Sequence, residues 1–189
     1  ERLGDVIRTP GVHDVAADRS GYFRDSWGTA ARVGSTFELS RLLTGEVSVG
    51  YGHRGYADTR LAPLNGLMTS ASLVWTATPL TKFTLTAKSS LDETTVAGVS
   101  GTVSRDYALQ VDHALRRWLT ASAKLSYGTS HYEGMARDDQ RYGLTTTLVY
   151  SLSRTMQIKG EFRQEWLKST AAGTDYTASV FLVGLRLQR

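Results

Sequence analysis

Residues able to support acid–base or metal chemistry are few in this chain, and its four histidines are the first candidates. The histidines are His13, His53, His113 and His131. His131 lies near Asp138 and Asp139, and His53 lies near Asp58, so a loop histidine held by a carboxylate could serve a hydrolase. The four have no metal-ligand spacing, the chain has no cysteine, and no Gly-x-Ser-x-Gly nucleophile elbow occurs. We therefore expect no enzymatic activity, no metal and no cofactor, and we interpret the histidines as polar residues at a wet rim.

Charged side chains form a second candidate site, because many of them recur at every second position of the sequence. Six are acidic and six are basic: Glu38, Glu46, Arg54, Lys82, Lys88, Asp106, Asp112, Lys124, Lys159, Glu161, Arg163 and Glu165. In an open barrel such residues would line the lumen and set a transverse field for permeating solutes. In a small barrel they would pair across strands and fill a narrow interior. The number of strands decides between these two interpretations.

The elements that would position these charges are strands in which apolar and polar residues alternate. The stretch "LTASAKLSYG" shows the pattern, with one apolar set (Leu119, Ala121, Ala123, Leu125 and Tyr127) and polar residues between its members. Nine segments alternate in this way, and none has a convincing helical period. No apolar run approaches the length of a transmembrane helix. The sequence therefore predicts an all-β fold.

Short and long connections alternate between these segments. The short ones, "SRLLTG", "TPLTK", "LRRW" and "LSRT", recur roughly every 38 residues, which indicates a repeating hairpin. The longer ones are "ADTRLAPLN", "TTVAGVSG", "EGMARDD" and "TAAGTD". Strands of about a dozen residues suffice to cross a bilayer at a tilt. Short turns at one end and longer loops at the other are typical of an outer-membrane barrel.

Aromatic residues gather near both ends of the predicted strands. The chain has 9 Tyr and 4 Trp against 5 Phe, a bias that suits a boundary between water and lipid. We expect two girdles formed by Tyr51, Trp75, Phe83, Tyr107, Trp118, Tyr127, Tyr142, Tyr150, Trp166 and Tyr176. A soluble lipocalin-like barrel is the alternative, but its inward face needs large aliphatic residues, whereas this apolar set is rich in Ala, Thr and Tyr. We therefore predict an antiparallel transmembrane β-barrel with nine to ten strands in this chain.

Two stretches carry a resemblance to a known family. The hairpin "LVWTATPLTKFTL" and the stretch from Arg137 to Arg154, with "RDDQRYGL" and "YSLSR", resemble the putative beta-barrel porin 2 family of Gram-negative outer-membrane proteins. The resemblance runs from about Phe37 to Arg189. It implies an outer-membrane location and a porin-like conduit or exporter for a polar solute, with exopolysaccharide as one cargo class. A non-conducting structural or interaction barrel in an envelope complex, and a barrel-embedded hydrolase, are the alternative functions.

The expected partners follow from this location. We expect contact with outer-membrane lipid and lipopolysaccharide, together with envelope proteins or a second polypeptide that completes the barrel. The formal net charge of +4 is a mild excess and gives no indication of nucleic-acid binding.

Strand parity divides the chain into a loop-rich N-terminal segment, residues 1–26, and barrel strands over residues 27–189. If the last strand ends on the periplasmic side, the first clear strand must descend from the outside, and something upstream must lead up to it. "LGDVIRT" would supply the end of a tenth strand. Pairing of Leu3–Thr9 with Tyr176–Gln188 would close a narrow ten-strand barrel. We favour instead the C-terminal part of a larger barrel, with further strands before Glu1 or on another polypeptide, and we place a cut in the extracellular loop near Pro10 as one origin of such a division.

Overall fold

The computed structural model describes residues 5–9, 21, 23, 25–94, 96 and 98–187, and these form one antiparallel sheet. Its ten strands are β1 (Asp5–Thr9), β2 (Ser26–Ser40), β3 (Leu43–Tyr56), β4 (Leu64–Thr78), β5 (Thr81–Glu93), β6 (Gly101–Arg116), β7 (Leu119–Glu133), β8 (Asp138–Ser151), β9 (Met156–Ser169) and β10 (Tyr176–Leu187). Every strand pairs with its neighbours in sequence, from β1 to β10. The all-β antiparallel prediction is confirmed, and "LGDVIRT" does contain a strand.

The two ends of the sheet differ as the turn pattern predicts. At one end, two-residue connections join β2 to β3, β4 to β5 and β6 to β7, and residues 152–155 join β8 to β9. At the other end, the connections cover residues 57–63, 94–100, 134–137 and 170–175. We call this second end the loop end. Most strands between the two ends have 13 to 16 residues, which is long for a globular sheet.

Strand register sorts the side chains onto two faces. On the apolar face, leucines stand side by side across five strands: Leu73, Leu85, Leu109, Leu125 and Leu144. The exposed fraction of Leu125 is 57%. One residue away, Lys124 lies between Gln110 and Thr145 on the opposite, polar face. The alternation in the sequence therefore becomes a physical separation of apolar and polar side chains on the two sides of one sheet.

Aromatic rings occupy both ends of the apolar face. Near the short turns, Trp75 stacks on Phe83 at 5.2 Å, and Trp118 lies 5.0 Å from Tyr150. Toward the loop end, the ring of Tyr127 lies 6.4 Å from Tyr107 and 5.1 Å from Tyr142. Register places Tyr51 and Trp166 on this face as well.

One predicted girdle residue, Tyr176, lies on the wrong face. It is paired with Leu167, two positions along β9 from Glu165, so its side chain belongs to the polar face. The reason is the composition of β10, which is apolar at both parities, with Val180 and Leu182 on the polar face and Phe181 on the other. Alternation therefore could not assign the faces of this strand.

Buried apolar packing is confined to the loop end. Among the described residues, the buried hydrophobic side chains are Leu61, Leu64 and Val99, with 4% or less of their surface exposed. Nearby polar groups join this packing, because the hydroxyl of Tyr56 donates to the carbonyl of Ser100. The rest of the sheet has two exposed faces, so its close-packed interior is this cluster under the loops.

The hairpin end of β5 and β6 crosses the polar side of β3 and β4. Pairing of β5 with β4 stops at Thr69–Ser89, although β5 remains paired with β6 up to Glu93. Beyond this point Leu91 lies against Gly52 and Gly66, which face each other across β3 and β4. A Cβ atom at Gly66 would lie 2.8 Å from Leu91 Cδ2. The glycine pair is therefore a notch that receives Leu91 and lets one hairpin lie across another.

The outer edges of the sheet are not paired with each other. Among the described residues, β1 pairs only with β2 and β10 only with β9, so the ladder of a closed ten-strand barrel is not seen there. The described residues do not include Leu3 or Gln188, which belong to the two segments whose pairing would close the barrel. They also do not include most of residues 10–26, among them Pro10 and His13. The larger barrel stays a prediction.

Candidate functional site

A groove on the polar face gathers charged side chains from β5 to β9. Its volume is about 780 Å³. Hydroxyl-bearing residues such as Ser70, Thr86 and Thr145 line it between the charges. The charged lining residues are Lys88, Asp106, Lys124, Arg141, Glu161, Arg163 and Glu165. Polar residues of six consecutive strands therefore share one groove.

An ion pair crosses the groove over a glycine. Arg141 Nη2 lies 3.1 Å from Asp106 Oδ1, although β8 and β6 are separated by β7. Gly128 is the residue of β7 that lies between them in the cross-strand row. A Cβ atom there would lie 2.6 Å from Asp106 Oδ1. The same guanidinium donates to Ser130 Oγ at 2.8 Å, two positions further along β7.

A second set of ion pairs runs along β9. The carboxylate of Glu161 lies 2.6 Å from Lys159 Nζ and 2.9 Å from Arg163 Nη2. Arg163 Nε lies 3.9 Å from Glu165 Oε1. The side chain of Glu161 is only 10% exposed, so this carboxylate is covered by its two cationic neighbours. The charges on this strand largely neutralise one another.

Four of the predicted lumen residues have no oppositely charged group within 4.0 Å in the described part of the chain. Lys88 and Lys124 are two cations on β5 and β7, and both are exposed. Glu38 and Glu46 are two carboxylates that line a separate groove of about 450 Å³ on β2 and β3. Of these four residues, the two carboxylates lie toward one edge of the sheet and the two ammonium groups lie in the middle.

The predicted charged residues all lie on the polar face by register, and six of them share the large groove. The others are distributed along the same face, where Lys82 lies 3.6 Å from Asp112 and Arg54 contacts Glu93. Sequence reasoning missed Arg141, because it stands before the clearest part of the β8 alternation. Counting back in steps of two from Thr145 would have found it. A lumen-lining role for these residues stays a prediction.

Comparison with known families bears on the whole sheet. Residues 9–189 match the family described as putative beta-barrel porin 2. The chain belongs to this family. No curated protein matches the chain. The all-β antiparallel sheet is consistent with a β-barrel family. The porin description of that family indicates a function other than catalysis.

Among the described histidines of this porin-family chain, His131 meets a carboxylate that the sequence places near it, and His53 does not. His131 Nδ1 lies 2.6 Å from Asp138 Oδ1, as the sequence predicts, but both side chains are more than half exposed. No hydroxyl lies within hydrogen-bond distance of His131 among the described residues. His53 contacts Asn65 and stacks on Trp27 instead of meeting Asp58. The described residues contain no group of three metal-ligating side chains, and they form no helix able to cross a membrane.

Charged residues in the loops serve the fold of the loop end. Arg60 donates to both oxygens of Asp58, with distances of 2.9 and 2.6 Å. These hydrogen bonds hold the pKa of Asp58 well below its usual range. Asp139, which is 4% exposed, accepts hydrogen bonds from Arg137, Tyr132 and Ser169. Both carboxylates are enclosed by donors and are therefore anchors of the loops.

Proposed function

We propose that this chain is part of an outer-membrane β-barrel that conducts polar solutes. The observation that carries the proposal is the separation of one sheet into an apolar face bounded by aromatic rings and a polar face with a charged groove. Lipid requires the first face and a water-filled path requires the second. The porin family description supports the same function.

The charge pattern of the groove suggests how solutes would be selected. Free carboxylates at Glu38 and Glu46 and free ammonium groups at Lys88 and Lys124 would create a field across the lumen. Hydroxyl groups along the groove would exchange hydrogen bonds with a hydrated cargo. Exopolysaccharide is a cargo class with this chemistry, and we propose it as the cargo to test first.

Ion conductance through planar bilayers tests the proposal. We expect the whole barrel that contains this chain to conduct, and we expect Lys124→Glu in it to shift the reversal potential in a salt gradient toward cation preference. Lys168→Glu is the matched control, because it makes the same change in net charge at the loop end of β9 on the apolar face. A whole barrel that inserts but does not conduct would overturn the conduit.

A non-conducting barrel with a structural or interaction role is the second candidate. The ion pairs of Glu161 with Lys159 and Arg163, and the loop packing around Leu64 and Val99, both favour a filled interior. In that case the same experiment gives insertion without current.

The barrel surfaces would meet two kinds of partner. Outer-membrane lipid and lipopolysaccharide would cover the apolar face. The outer edge of β10, which pairs with no described strand, would pair with a further strand of a larger barrel or of a second polypeptide, because unpaired backbone groups are costly in lipid.

A further inference from the structure

The end of the β5–β6 hairpin overlaps β3 and β4 instead of continuing the wall beside them. Leu91 lies against Gly52 and Gly66, where a Cβ atom would lie 3.1 Å from Leu91 Cδ1 and 2.8 Å from Leu91 Cδ2, respectively. The adjacent pair, Tyr51 and Leu67, lies on the apolar face, so the glycine pair next to it faces the polar side. The hairpin end therefore lies on the side of β3 and β4 where the proposed barrel has its lumen.

Polar contacts hold the hairpin end in this position. The carboxylate of Glu93 on β5 forms an ion pair with Arg54 of β3. The hydroxyl of Tyr56, two positions further along β3, donates to the carbonyl of Ser100. Arg54 and Tyr56 alternate with residues of the apolar face, so both side chains reach the hairpin end from the polar side of β3. The polar contacts and the glycine notch therefore agree on where the hairpin end lies.

Apolar packing completes this attachment. A Cβ atom at Gly101 of β6 would lie 2.5 Å from Cδ2 of Leu64, which is 1% exposed. Val99, just before β6, is fully buried. Displacing the hairpin end would expose these side chains to water and lose close packing. The overlap is therefore a built part of the loop end.

The overlap turns the opposite side of the hairpin end toward the lumen. Leu91 and Glu93 contact β3 and β4, so Asp92 between them points the other way. Asp92 is exposed, and Ser90 Oγ donates to its Oδ2 at 3.1 Å. No cation lies within 4.0 Å of this carboxylate among the described residues. The hairpin end thus presents one free negative charge on its lumen side.

We propose that the end of the β5–β6 hairpin narrows the mouth of the barrel at the loop end, and that Asp92 is the charged residue that selects ions there. This role rests on the conduit proposed above and assigns its entrance. An overlapped wall encloses a smaller circumference than the same strands side by side, so Asp92 lies closer to the axis than a residue of a continuous wall. A carboxylate at a narrow point of an aqueous path favours cations over anions. The free cations Lys88 and Lys124 line the groove, so the entrance and the groove differ in sign.

Cross-linking of the whole barrel that contains this chain tests the overlap without a measurement of current. The chain has no cysteine of its own. We expect Gly66→Cys with Leu91→Cys to form a disulfide on mild oxidation, because the two positions are in direct contact and a disulfide spans only a short distance. Gly66→Cys with Leu85→Cys is the matched control and should stay unlinked, since Leu85 lies further along β5 opposite Leu73. An unlinked first pair would overturn the overlap.

Ion selectivity tests the role of Asp92. In a salt gradient across a planar bilayer, Asp92→Asn should lower the ratio of cation to anion permeability by about twofold, which is the change in ion occupancy that one unit charge causes at about 10 Å in water. Asp138→Asn is the matched control, because Asp138 is an exposed carboxylate at the loop end on the apolar face. The control should leave the ratio unchanged. An unaltered ratio for Asp92→Asn, or equal shifts for the two variants, would overturn the assignment of Asp92.

Single-channel conductance tests the narrowing. The double change Leu91→Asn with Glu93→Gln removes the apolar contact and the ion pair that hold the hairpin end, so we expect a larger conductance. Tyr56→Phe removes only one hydrogen bond and should give a smaller increase, which keeps the test open if the double variant does not insert. Conductance that is unchanged in every variant that inserts would overturn the narrowing and leave the conduit standing. A barrel that cross-links as expected but carries no current would overturn the conduit, and the narrowing with it.

Discussion

Replacement of Leu125 by arginine tests whether the apolar face lies in lipid. Leu125 is in the middle of β7, between Leu109 and Leu144, and it is 57% exposed. If this face met water, the change would remove little burial, and we would expect an effect within about 0.5 kcal/mol. If the face meets lipid near the bilayer centre, arginine costs about 2–4 kcal/mol. The two locations therefore predict effects that differ several-fold.

Ser126→Arg is the matched control for this prediction. Ser126 is the next residue in the chain and lies at the same depth on the polar face, next to the groove. We expect it to change the free energy of unfolding by about 0.5 kcal/mol or less, because its guanidinium stays in water. The free energies are measured by urea titration of folding into lipid vesicles. Equal costs for the two variants would refute the assignment of the apolar face to lipid.

Three further predictions concern the loop end. Gly101→Ala is expected to cost about 1–3 kcal/mol, because its Cβ would lie 2.5 Å from Cδ2 of the buried Leu64; an unchanged urea midpoint would contradict the packing. Asp139→Ala is expected to cost about 2–3 kcal/mol and to speed protease cleavage of the β7–β8 loop, since three donors lose their acceptor; unaltered cleavage would contradict this. Asp58 has a lowered pKa, so its contribution is complete above the unfolded-state pKa and is lost as pH falls through the folded-state pKa. Protease protection of residues 57–63 should therefore persist down to about pH 4 and fall only below it, and an Arg60→Gln variant should lose protection at higher pH.

Alternation predicted most of the fold because it is a local property of each strand. Leu125 and Lys124 are on opposite faces for no other reason than their adjacency in an extended chain. The stacking of Trp75 on Phe83 is also local, but it depends on an irregularity between Thr76 and Thr78 as well as on the two-residue turn, because the turn alone would place Thr76 opposite Phe83. The positions of the groove charges followed from the same rule.

Sequence reasoning did not reach the features that depend on contacts between hairpins. Beyond Ser89, β5 leaves β4 and Leu91 contacts Gly52 and Gly66, and nothing in their sequence neighbourhoods indicates that contact. The bridge from Asp106 to Arg141 depends on a glycine in the intervening strand, which is known only from the register of three strands. Contacts of this kind are set by the tertiary arrangement and not by a period of two.

The neighbour-to-neighbour order of the strands has a consequence for how such a protein can change in evolution. Because none of the described strands bridges distant parts of the chain, a whole hairpin can be duplicated or deleted while the flanking strands keep antiparallel partners. Each such event would alter the circumference by two strands, and with it the bore available to a solute. The two-strand repeat of roughly 38 residues visible in the sequence is the trace that growth by hairpin duplication would leave.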